Sequence, residues 1–265
     1  MDRTSISEIK MKAKDNLLGY YGISAGAFAL LFALVYGLLL VLWGAMNAGM
    51  PAGEMAGGDF SLTTQIESYA VSFVVGVFSS ILTTGYVKMM LEISYGRSPK
   101  MSMLFFCFKN HPDKVIILYA LLSVIQIILL MPSKFVKWSW EGLLAGEGDG
   151  RNFLLWIILI LVGFGISLYI NIVFGFCFLV YIGDPDMSIR DILICSQRLM
   201  KGNKCRYVYL FLSFVGYYIL GIISLGITLM YTVPYQNMAT VELYKDALDY
   251  VDKSRFTKSS VDLES

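Results

Sequence analysis

GISAGAFALLFALVYGLLLVLWGAM, residues Gly22–Met46, contains no Asp, Glu, Lys or Arg. A helix needs roughly 20 apolar residues to cross a hydrocarbon core of about 30 Å, and this stretch supplies them. It sits inside a charge-free run over residues 16–53, and four more such runs cover 68–87, 115–133, 152–183 and 207–241. The chain of 265 residues is 57% hydrophobic and only 15% charged, against about 25% charged in soluble domains. Its residues go into membrane spans, and no loop is large enough for a separate folded domain.

The second and third runs each supply one span. The fourth, of 32 residues, would be about 48 Å long if wholly helical, so it must tilt, kink or project, with Gly163, Gly165 and Gly175 as weak points. The fifth is too long for one comfortable crossing. It is expected to divide at Gly221-Ile-Ile-Ser-Leu-Gly226, and Pro234 should kink the last span because it lacks a backbone donor. The expected fold is therefore all-α: a polytopic transmembrane helical bundle with six spans, an N-terminal amphipathic helix and short cytoplasmic interfacial helices. The expected organisation is an amphipathic N-terminal segment over 1–21, a membrane domain over 22–245 and a polar tail over 246–265.

Charge gives an expected orientation. Eighteen of the 21 Lys and Arg residues fall on one side of these spans. They are Arg3, Lys10, Lys12 and Lys14 at the start; Lys88, Arg97, Lys100, Lys109 and Lys114 around the loop after span 2; Arg190, Arg198, Lys201, Lys204 and Arg206 after span 4; and Lys245, Lys253, Arg255 and Lys258 in the tail. Basic residues near span ends stay cytoplasmic, which places both termini in the cytoplasm. Lys134, Lys137 and Arg151 are the exceptions. Trp43, Trp138, Trp140 and Trp156 all fall at the expected outer interface, the level that indole rings prefer. Residues 1–21 do not read as a signal peptide, and span 1 is expected to act as an uncleaved signal anchor. A net charge of +1 argues against a nucleic-acid binder.

Residues 5–18 read as an amphipathic helix. Ser5 and Glu8 have capping-box spacing; Ile6, Ile9, Ala13 and Leu17 share a face; Lys10 and Lys14 lie together elsewhere. Such a helix suits a membrane surface whose anionic lipids meet its lysines. After span 4, Ile189, Ile192, Leu193 and Leu199 or Met200 form the apolar side of a second helix. Arg190, Gln197 and Arg198 form its polar side, and Gly202-Asn203 is its stop. The loop Pro99-Lys100-Met101-Ser102 echoes Pro185-Asp186-Met187-Ser188, which either marks a parallel repeat or is chance likeness between two interfacial loops. Lys10, Lys14, Arg190, Arg198 and Lys201 are the candidate contacts to cytoplasmic partners or lipid.

Catalytic and cofactor signals do not appear. No Gly-rich phosphate loop, paired-acid motif or zincin helix is present, and no cofactor is expected. His111, the single histidine, reads as a surface residue. Cys107, Cys177, Cys195 and Cys205 match no zinc spacing and read as packing residues. No charge sits mid-span, which disfavours a pump or proton-coupled carrier. The intramembrane polar candidates are Gln126 and Asn171, for which interhelical hydrogen bonding is the ordinary role. Ser72, Gly76, Ser80 and Thr84, four apart, suit close helix packing. Glu92 is placed to pair with Lys88, and Glu242 lies beside Lys245.

Ile9-Lys10 with Ala13-Lys14, the run Arg198-Leu199-Met200-Lys201-Gly202-Asn203-Lys204, Leu212-Ser213-Phe214-Val215-Gly216-Tyr217, Leu225-Gly226-Ile227, Pro234-Tyr235 and Leu243-Tyr244 together resemble the bacterial membrane family catalogued as domain of unknown function 975. The likeness is most specific over 184–245. Tyr217 and Tyr231 stand where the family pattern would have tryptophans. The resemblance implies an integral membrane protein and no activity, so no catalytic residue carries over from it. The expected function is a non-enzymatic membrane protein presenting a basic cytoplasmic surface to partners or lipids. The alternative is a permease-like transport subunit working with a separate ATPase. A lipid-acting enzyme would need convergent acids, histidines or cysteines at one depth, and the sequence shows none.

Overall fold

The structure, a computed structural model, describes residues 4–47, 62–135 and 150–264. Among them the regular elements are helical: α1 (Ile6–Leu17), α2 (Tyr21–Asn47), α3 (Leu62–Ser94), a 3-10 turn (Met101–Phe105) running into α4 (Phe106–Lys109), α5 (Pro112–Phe135), α6 (Gly150–Val173), α7 (Cys177–Gly183), α8 (Ile189–Met200), α9 (Lys204–Leu212), α10 (Val215–Ile223) and α11 (Leu229–Glu264).

Among the described residues, five stretches are long and apolar enough to cross a membrane: Tyr21–Met46, Ile66–Ser94, Pro112–Leu129, Asn152–Gly183 and Lys204–Ile223. The all-α bundle expected from sequence is present, with five of its six spans. The division of the fifth run is also present, because a turn over residues 224–228 separates α10 from α11. Gly226 there has φ +92°, a conformation glycine adopts without steric cost. The sixth expected span is the first part of α11, and α11 is not among the five apolar stretches. It carries Gln236, Asn237, Glu242, Lys245 and Asp246, and its residues from Tyr235 to Ala247 are largely buried against other helices. Protein rather than lipid surrounds this part of α11, so it lacks the continuous apolar surface of a lipid-facing helix. Pro234 lies inside α11, which continues beyond residue 245.

Local chemistry explains the interruptions. The long fourth run breaks at residues 174–176, between α6 and α7. Gly175 is the member of the expected trio at the break, and a Cβ on it would lie 2.8 Å from the Tyr207 ring. Small residues serve close packing on α3 as well. A Cβ on Gly76 would overlap the Tyr119 hydroxyl of α5, and one on Gly85 would overlap the Leu104 carbonyl of the 3-10 turn. The intramolecular packing role expected for the small-residue stripe is thus realised at Gly76.

The two interfacial-loop echoes do not share a structure. Ser188 caps α8 through its side chain, whereas Lys100, not Ser102, precedes the 3-10 turn. A closer repeat joins residues 5–19 to 188–202. Ser5 and Ser188 have nearly the same backbone (ψ 152° and 150°), and each side chain accepts from the backbone N–H three residues on, Glu8 or Asp191. Twelve helical residues follow in both cases. Ile9, Ala13 and Leu17 are buried in one; Ile192, Ser196 and Met200 are buried at the same spacing in the other. Each helix ends in a residue of similar backbone, Leu18 (φ −58°, ψ 124°) or Lys201 (φ −65°, ψ 111°). A glycine with positive φ follows, Gly19 at +86° or Gly202 at +85°. The next helix then starts after one further residue. Short capped helix, elbow and apolar helix are used twice.

The packed core sits at the charged end of the bundle. Ile9, Ala13 and Leu17 of α1 are buried, and α1 lies against α11. Met89 and Met90 of α3, Cys107 of α4, the run from Phe176 to Ile182, Ile192 and Leu199 of α8, and Met238 to Ala247 of α11 belong to the same cluster. At the other end, Phe32 and Val41 of α2, Ile158, Leu161 and Val162 of α6, and Ile222 and Ile223 of α10 are exposed. So much exposed apolar surface is unusual for a protein in water and suits a lipid surrounding.

Candidate functional site

Two polar hubs, one buried and one partly buried, hold the charged end together. Glu242 of α11 accepts from Asn16 Nδ2 at 2.9 Å, accepts from Ser94 Oγ, and pairs with Lys245 Nζ at 3.4 Å. Lys245 also donates to the Ser94 carbonyl at 3.0 Å. One carboxylate thereby ties α1, the end of α3 and α11, with its burial compensated by a cation and two donors. In the second hub Arg206 of α9 meets Asp246 at 2.7 Å and donates to the Thr4 carbonyl at 2.6 Å and to Asn203 Oδ1 at 2.9 Å. Thr4 Oγ1 donates to Asp246. Burial alone would raise the Asp246 carboxyl. The hydrogen bonds from Thr4 and Arg206, with the guanidinium charge, outweigh it and hold the group below its ordinary value. These contacts join Thr4, ahead of α1, to α9 and α11.

Glu92 pairs with Lys88 at 3.0 Å, as its spacing suggests, and also with Arg97 at 2.9 Å. The two charged loops meet where Lys114 donates to the carbonyls of Pro185 at 2.6 Å and Met187 at 3.1 Å. His111, at the surface, lies 3.6 Å from Asp186 and 3.9 Å from Asp113. Cys107 and Cys177 are buried among apolar side chains. Burial pushes the Cys107 thiol up to about 12, so it stays a protonated packing group at neutral pH.

The sequence-derived candidates separate into three sets. Lys10 is turned inward. Its Nζ donates to Ser213 Oγ at 3.2 Å and lies 4.7 Å from the Phe214 ring centroid and 5.9 Å from that of Tyr217. Burial lowers its pKa. With the α1 apolar face against α11, Lys10 bridges α1 and the α9–α10 junction. Lys14, Arg190, Arg198 and Lys201 are exposed. None forms an ion pair or side-chain hydrogen bond among the described residues. Gln126 and Asn171 hydrogen-bond to each other, Nε2 to Oδ1 at 3.4 Å, across α5 and α6. This is the interhelical role expected of them, and neither lines the cavities described below.

Three features escaped the sequence reading. Arg198, Lys201 and Lys204 converge on a cavity of about 630 Å³ that also takes Tyr169, Ile170 and Phe174 of the α6 end into its wall. Lys204 Nζ donates to the Tyr169 hydroxyl at 2.9 Å and lies 4.5 Å from its ring centroid. The elbow at Gly202 brings the three cations together, and their linear spacing does not announce it. A second cavity, about 250 Å³, is lined by Tyr218, Gln236, Asn237 and Thr240 among apolar neighbours. Gln236 there accepts from the Tyr218 hydroxyl. Thirdly, the ion pair of Arg206 with Asp246 joins residues 40 positions apart, beyond any local pattern.

Fold and site define an all-α helical bundle with several helices able to cross a membrane and a densely packed charged end. The model of one family, described as protein of unknown function (DUF975), matches residues 1–249, and the chain belongs to that family. No curated protein and no solved structure matches it.

Proposed function

We propose that this protein is a non-enzymatic integral membrane protein of the cell membrane, with both termini cytoplasmic, that offers a basic cytoplasmic face to anionic lipid or to a protein partner. The observation that carries this reading is the contrast among its charges. The carboxylates of the two hubs are matched by cations, while Lys14, Arg190, Arg198 and Lys201 project from a packed platform with no counter-charge among the described residues. Unpaired cations on such a platform are available to an outside anion, at about 1 kcal/mol per basic residue near an anionic surface. The positive-inside bias of the sequence supports the orientation.

The test replaces Lys14, Arg190, Arg198 and Lys201 with Ala in the full chain. The variant should insert normally, yet lose most of the wild-type preference for anionic over zwitterionic lipid and lose any partner recovered by cross-linking in the membrane. Lipid preference and cross-linked partners both unchanged would refute the reading. Recovery of an ATPase from the wild type would instead favour the permease-like alternative. Orientation is checked separately: a cysteine placed at Lys14 should react with a membrane-impermeant thiol reagent in inverted vesicles and not in intact cells.

A further inference from the structure

We infer that the cavity between the end of α6, α8 and the start of α9 is a binding site for one anionic glycerophospholipid, its phosphate held by Arg198, Lys201 and Lys204. The inference rests on the basic-surface reading above and sharpens it from a diffuse face to one site. The cavity of about 630 Å³ has three cations in its wall and no acidic residue. The side chains of Arg198 and Lys201 have no ion-pair or hydrogen-bond partner among the described residues, and Lys204 is held by a tyrosine hydroxyl. Asp191, which with Arg198 lines a neighbouring cavity, is already engaged by Ser188 Oγ at 2.6 Å. The α9 amino end adjoins the three cations without a side-chain cap, so its dipole adds to the attraction for an anion.

The rest of the wall selects a lipid over a soluble phosphate. Ile170 and Phe174 are apolar, and above them Tyr169, Ile166, Val162 and Ile158 form one exposed strip along α6. From residue 158 to 169 that strip is about 17 Å long. An acyl chain can lie along it while the phosphate sits at the level of Tyr169 and Lys204, the depth at which tyrosines and lysines anchor to headgroups. A soluble anion would use the cations and make no use of the apolar wall.

The site is tested by lipid affinity in mixed micelles, with phosphatidylglycerol as probe and phosphatidylcholine as reference, read by native mass spectrometry. Arg198→Ala/Lys201→Ala should weaken phosphatidylglycerol retention about 30-fold, each basic residue contributing about fivefold. Lys100→Ala/Lys109→Ala, exposed and outside the cavity, should leave it within twofold. Val162→Glu, on the acyl strip, should weaken retention with every cation in place. Equal losses from the two charge variants would overturn the single site while leaving the basic surface standing. Equal retention of the two lipids by the wild type would overturn both. Inorganic phosphate competing as well as the lipid, with Val162→Glu silent, would overturn the lipid assignment.

Discussion

The charged end and the apolar remainder of this bundle are assembled on different principles. At the charged end α1, α3, α7, α8 and α11 bury a common cluster stitched by two ionic hubs. Further along, α2, α5, α6 and α10 pack against neighbours on one side and leave broad apolar faces open. Lipid is as apolar as those faces, so little is gained there by packing helix on helix. At the interface, where water competes, burial is favourable and polar groups must be paired. The difference teaches that this fold is organised from its charged end.

The comparison predicts where substitutions hurt. The largest effect is expected from Gly85→Val, because a Cβ there overlaps the backbone carbonyl of Leu104 and that carbonyl cannot move as a side chain would. The expected loss is more than about 3 kcal/mol, seen as failure to purify as a monodisperse species. Next comes Arg206→Ala, which strands Asp246 at a partly buried position. A loss on the order of 3 kcal/mol is expected, measured by denaturant unfolding in detergent.

The same pair sets a pH dependence. The folded Asp246 carboxyl lies below its ordinary value, so its ionised form stabilises the protein above about pH 4. That contribution is lost as pH falls through the lowered folded value. Wild-type melting temperature should therefore drop on acidification below about pH 4, and Arg206→Ala should drop less over the same interval. A smaller effect, about 0.6 kcal/mol, is expected from Gln126→Leu, which removes one interhelical hydrogen bond between lipid-facing helices. The smallest belongs to Leu161→Ala on the open face of α6, within about 0.5 kcal/mol. If Leu161→Ala proved as damaging as Arg206→Ala, that face would be a protein interface and the contrast between the two regions would fail.

Much of this was legible in the residues. The charge-free runs locate the apolar helices, Gly175 and the Gly221–Gly226 segment mark real breaks, and Ser5 with Glu8 marks a real cap. The pairings of Glu92 with Lys88 and Glu242 with Lys245 followed from spacing, since side chains three or four apart on a helix are neighbours. Lys10 was not legible. Its place on α1 matched a surface lysine, and only the approach of Phe214 and Tyr217, two hundred residues away in sequence, turns it inward. The repeat of α1 in α8 was half visible as Ser5-x-x-Glu8 with Gly19 and Ser188-x-x-Asp191 with Gly202. Pro99–Ser102 and Pro185–Ser188 are more alike in residues, yet only Ser188 caps a helix. Trp138, Trp140 and Lys137 lie outside the described residues.

Sequence alone determined the class of this protein, because transfer of apolar side chains and exclusion of charge from lipid are local properties that a count can read. It also determined most helix limits, since caps, glycines and prolines act within a few residues. Tertiary structure alone decided which cations remain available. Whether a lysine or arginine faces outward depends on carboxylates, carbonyls and rings brought from distant parts of the chain. Arg206 is claimed by Asp246 and Lys10 by an aromatic pair, while Arg198 and Lys201 are left beside Lys204 at one cavity.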